Sequence, residues 1–89
     1  MTVITSLDNP RIKAALRLRE GRHRRKQGRF LIDGLREIER AAAAGIELVE
    51  VFFCAERCRP SQRTTLDATR PNLAAELVEV SAGVFEKLA

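Results

Sequence analysis

Residues 30–53 read FLIDGLREIERAAAAGIELVEVFF, and the order of signals in this stretch decides the fold. Phe30-Leu31-Ile32 is a short apolar run of strand character, and Asp33-Gly34 is a turn. Leu35, Ile38, Ala41 and Ala42 then recur at the spacing of one helix face, and Gly45 stands where that helix needs its C-terminal cap. From Leu48 to Phe53 the chain is apolar apart from Glu50, which predicts a strand covered on both faces. Phe30, Ile32, Val49, Val51 and Phe53 are the expected strand core. A strand, a helix and a second strand joined this closely predict parallel pairing with the helix packed on the sheet.

Toward the C-terminus, the polar stretch Arg57 to Arg63 with Pro60 reads as a loop. A helix from about residue 62 to 76 follows, interrupted or restarted at Pro71. Leu77 to Val80 is a third strand, and Ser81 caps a last helix that turns Val84, Phe85 and Leu88 inward. Toward the N-terminus, residues 3–6 are an extended lead-in. Asn9 and Pro10 start a helix as N-cap and first helical residue, with Ile12, Ala15 and Leu16 on one face and Lys13 and Arg17 on another. Gly21 is expected to end this helix, Arg22 to Lys26 to follow as an arm, and Gly28 to break the chain before the first strand. The expected organisation is a basic helix and arm over residues 1–29, then a small α/β domain over residues 30–89 with a largely parallel or mixed sheet.

Charge is distributed unevenly along the 89 residues. Residues 1–29 carry nine Lys/Arg against Asp8 and Glu20, whereas residues 30–89 carry seven against ten acids. A basic segment on a mildly acidic body points to a polyanionic partner, of which nucleic acid is the commonest. Arginine outnumbers lysine there, which favours bidentate phosphate contacts and stacking on unpaired bases. Apolar runs are far too short to span a membrane, and the start lacks the layout of a signal peptide, so a cytoplasmic location is expected.

Signals for chemistry are sparse. Cys54 and Cys58 are the only cysteines and His23 the only histidine, too few for a zinc site, and both cysteines read as ordinary thiols, Cys54 closing a buried strand. Gly21, Gly28 and Gly34 lie too far apart to build one phosphate loop. Ser6, His23 and Asp33 carry no nucleophile motif. Glu37, Glu39 and Glu50 read as solvated faces or partners for nearby arginines.

The spaced elements Ile4-Thr5-Ser6, Asn9-Pro10-Arg11-Ile12-Lys13, Leu16, Arg25, Phe30-Leu31-Ile32-Asp33-Gly34 and Ala41 to Gly45 resemble the N-terminal substrate-binding domain of the SpoU family. These are SPOUT-class, TrmH-like RNA ribose 2′-O-methyltransferases. The resemblance is specific over residues 4–34 and topological from there to Phe85. It implies an α/β/α sandwich like that of the ribosomal proteins that bind kink-turn RNA, and a role in gripping rRNA or tRNA. It also implies a separate knotted domain that binds S-adenosylmethionine and forms the homodimer; the signature motifs of that domain are absent here. The family usually has Glu where this chain has Asp33, one methylene shorter.

Carried over by position, Asn9, Lys13 and Arg25 are the expected RNA contacts, and Arg22, Arg24, Lys26 and Arg29 join them on charge. Asn9 has a second reading as a helix cap, and Asp33 and Gly34 read as turn structure. No catalytic or metal-binding residue is expected, and no cofactor in these residues. A free-standing kink-turn binder and a non-catalytic interaction module are the rival functions.

Overall fold

The computed structural model describes residues 3–69 and 75–89. Its elements run α1 (Pro10–Arg17), α2 (Gly21–Gln27), α3 (Leu35–Ala43), β1 (Glu50–Phe53), a 3₁₀ turn (Ala55–Arg57), α4 (Pro60–Thr69), β2 (Glu76–Glu79) and α5 (Ala82–Leu88). β1 and β2 pair in parallel with Phe52 opposite Val78, and Ile4 adds a parallel bridge to Val80 on the far side of β2. The result is a small α/β domain, as the periodicity predicts.

Pleating sends alternate side chains to opposite faces of the sheet. Phe52 and Val78 share the face on which Ile12 of α1, Val84 of α5, Cys54 and Val80 form the principal core. Ile12 is fully buried and Val84 2% exposed, so α1 belongs to the same core as the strands. Val51 and Phe53 are buried on the opposite face, where Arg63 of α4 lies 5.9 Å from the centre of the Phe53 ring and α4 packs on α3.

The local punctuation acts as read. Asn9 Oδ1 accepts from the Arg11 N–H at 2.9 Å, and Ser81 Oγ from the Val84 N–H at 3.3 Å. Past α3, Gly45 adopts φ +81°, and the N–H groups of Gly45 and Ile46 donate to Ala42 O and Ala41 O. That pair of bonds is a Schellman closure, which needs a left-handed residue and so favours glycine.

Four expectations are corrected. Phe30–Ile32 is not a strand: it lies between Gly28 and Gly34 with no ladder hydrogen bonds among the described residues, and Phe30 is 59% exposed. An open groove of about 500 Å³ lies here, lined by this segment and by Ile46 to Phe52. Strand-like composition is not enough without a neighbouring edge to pair with. The second strand is correspondingly shorter than its apolar run, and Val49 is 41% exposed. Gly21 opens α2 rather than ending α1, because α1 stops at Arg17 and the run after Gly21 consists mostly of straight-chain residues that tolerate a helix. Pro60 starts α4 at its first position instead of sitting in a loop. There Gln62 Oε1 accepts from the Arg59 N–H at 2.9 Å, half of a capping box. The expected interruption at Pro71 lies outside the described residues.

Candidate nucleic-acid interface

A helix sorts consecutive side chains by about 100° each, and in α2 that sorting divides the basic run. Arg24 Nη1 donates to Leu18 O at 3.0 Å and Arg19 O at 2.9 Å. Gln27 Nε2, three residues on, donates to Ala14 O at 3.1 Å. These two side chains fasten α2 to the carbonyls of α1 and its C-terminal end. Arg22, Arg25 and Lys26, at i, i+3 and i+4, lie on the other face and are exposed. Arg29 follows beyond Gly28, whose φ of +67° closes the helix in the left-handed region.

The cations also differ in their partners. The side chains of Arg25, Lys26 and Arg29, with that of Arg17 at the end of α1, have no hydrogen-bond or ion-pair partner among the described residues. Arg22 lies 3.9 Å from Glu20, and Lys13 3.9 Å from Asp8, both loose exposed pairs. Such pairs hold little energy and yield readily to a phosphate. Arg36 and Arg59 likewise have no side-chain partner among the described residues, whereas other arginines are committed. Arg11 bridges Glu50 and Glu76, Arg57 pairs with Glu86, and Arg63 with Asp67 at 3.5 Å. Arg19 donates to Lys87 O at the end of α5. Of the seven expected RNA contacts, the structure therefore places Arg22, Arg25 and Lys26 on one helix face with Arg29 close in sequence. Lys13 is exposed on α1, Asn9 serves as a helix cap, and Arg24, itself exposed, is tied to the Leu18 and Arg19 carbonyls.

α2 contains no buried residue and no acid in its first turn. A helix so loaded with like charge gains from an anionic partner. Ser6 Oγ instead accepts from the Asp8 N–H, and His23 Nε2 lies against Glu20 and Arg22, so Ser6, His23 and Asp33 form no hydrogen-bonded triad among the described residues. Cys54 and Cys58 are free thiols, Cys54 buried in the core. Gly28, Gly34 and Gly45, the positive-φ glycines, close three separate turns. Among the described residues these glycines build no single loop. No described helix is long and apolar enough to cross a membrane.

The sequence pattern of the MRM3-like substrate binding domain matches residues 9–89. The crystal structure of an RNA 2′-O ribose methyltransferase superimposes with a TM-score of 0.82 at 46% sequence identity, covering 99% of this chain and 32% of that one. The chain thus spans about a third of the length of that relative. No curated protein matches it.

Proposed function

This chain belongs to the MRM3-like substrate binding domain family, and from that premise we propose that it holds RNA for a ribose 2′-O-methyltransferase. The observation that carries the reading is the outward face of α2, where the side chains of Arg25 and Lys26, continued by Arg29, stand without partners among the described residues. Guanidinium groups on an exposed face meet phosphates in pairs and stack on unpaired bases. The similarity to a methyltransferase three times as long supports a division of labour. In it, this domain grips the RNA, and the methyl transfer, its S-adenosylmethionine and the dimer contact belong to another part of a cytoplasmic enzyme acting on rRNA or tRNA.

The test is binding of fluorescein-labelled rRNA and tRNA stem–loops by the 89-residue chain, over a series of salt concentrations, with duplex DNA as competitor. Saturable binding that falls steeply with salt and survives the competitor supports the reading. Equal displacement by DNA reduces it to bulk charge, and no binding overturns it.

A further inference from the structure

Within the basic run, Arg24 is set apart by what it touches. Arg25, next to it in sequence, is exposed and has no side-chain partner among the described residues, whereas one terminal nitrogen of the Arg24 guanidinium donates to both Leu18 O and Arg19 O. These carbonyls belong to the turn that ends α1, where helix carbonyls lack intrahelical partners and carry partial negative charge. α2 has no buried residue to hold it in place. Its orientation therefore rests on polar ties, of which Arg24 and the Gln27 bond to Ala14 O are the side-chain members.

Gly21 shows how closely this anchor adjoins the exposed face. A Cβ there would stand 3.4 Å from Arg24 Nη2 and 3.3 Å from Arg25 Nη1. The committed guanidinium and the uncommitted one thus flank the same glycine.

We infer that Arg24 is a positioning residue: by tying α2 to the end of α1 it presents Arg22, Arg25 and Lys26 as one row, and does not itself contact RNA. The inference rests on the RNA-binding reading and deepens it. The sequence places Arg24 and Arg25 side by side as expected phosphate contacts, and only Arg24 is bonded to protein carbonyls.

The experiment compares Arg24→Met with Arg25→Met, which remove the same charge and keep a similar apolar stem. Affinity for a fluorescein-labelled RNA stem–loop is measured for each, alone and in an Arg25→Ala/Lys26→Ala background. Backbone amide exchange is followed in parallel. Arg24→Met should weaken binding by about tenfold, the scale of one or two charge-assisted hydrogen bonds, and more than Arg25→Met does. In the double-alanine background Arg24→Met should have a much smaller further effect, because two of the three groups it positions are gone. Exchange should accelerate across residues 21–27 and little elsewhere.

An undiminished loss in that background shows a direct RNA contact and overturns the inference. So does unchanged exchange in residues 21–27, and so does faster exchange throughout the chain, which marks general destabilisation. If the double-alanine chain binds RNA as well as the unaltered one, the RNA-binding face is wrong. The exchange pattern then still decides whether Arg24 holds α2.

Discussion

Glu50 and Glu76 stand opposite each other in the first register pair of the parallel ladder, two like charges where a cross-strand pair is ordinarily destabilising. Arg11 of α1 resolves the conflict. Its Nε lies 3.4 Å from Glu50 and its Nη2 2.6 Å from Glu76. One guanidinium thereby joins the first helix to the starts of both strands. The hydrogen bond to Glu76, and then the charge of that carboxylate, raise the Arg11 pKa above its ordinary value, with Glu50 adding to the effect.

Arg11→Gln should lower the melting temperature, and Glu76→Gln in the same chain should restore part of the loss by removing one of the two facing charges. Circular dichroism melts of the three chains measure this. An additive further loss in the double variant would mean that the carboxylates do not repel. The sign of the pH effect follows from the raised pKa. A cation stabilised by folding contributes fully below its unfolded pKa and loses that contribution only as pH rises through the folded one. For a guanidinium both lie far up the alkaline range, so this contribution should stay constant from about pH 6 to 9.

Phe53→Ala should destabilise the domain strongly, on the scale of ~3–5 kcal/mol for a truncated core phenylalanine, since Phe53 is 8% exposed. Phe30→Ala should fall within about 1 kcal/mol of the unaltered chain, as substitutions at surface positions do. Urea titrations separate the two outcomes. A large loss at Phe30 would place its ring in a packed core after all.

This contrast also marks how far the sequence could be read. Caps and stops were legible at Asn9, Gly28, Gly45 and Ser81, because each is set by one residue's own backbone or side chain within a turn. Part of the core was legible, at Val51 and Phe53 of β1 and Val84 of α5, because each falls at the period of its element. Phe30–Ile32 misled because pairing depends on a neighbour distant in sequence, which no local pattern supplies. The charge run was legible as a concentration of cations, but not its division into anchor and exposed face. That division follows only once Gly21 is seen to open a helix, since an extended arm would leave Arg24 and Arg25 equivalent.

Asn9→Ser should preserve stability and Asn9→Ala should cost about 1 kcal/mol, because serine can supply the acceptor that Arg11 N–H uses and alanine cannot. The same pair of variants separates capping from RNA contact. If Asn9 acts only as a cap, Asn9→Ser binds a labelled RNA stem–loop like the unaltered chain. A weaker complex with unchanged melting would give the side chain a second role.

Removing Arg25, Lys26 and Arg29 together should flatten the salt dependence of RNA binding. Each phosphate contact releases condensed counterions, with a log–log slope of about −0.7 per phosphate on single strands, so the triple alanine variant should lose up to ~2 units of slope. Folding should be nearly unaffected, since these groups are exposed and partnerless among the described residues. The control must remove equal charge without breaking a contact. Arg57 and Arg63 are unsuitable because they pair with Glu86 and Asp67. Arg36, Arg59 and Lys87 have exposed side chains with no such partner, and their triple alanine variant is the matched comparison. Fluorescence anisotropy at several salt concentrations, with circular dichroism to check folding, makes the measurement. A long-range field would act nearly alike for both triples, because net charge is lowered equally. Contact with phosphate acts only where the cations lie, so a slope that flattens in the first triple and not in the second locates the RNA on the outer face of α2 and the turn that follows it. Equal losses would reduce the surface to bulk charge, and an unchanged slope in the first would remove this face from the interface.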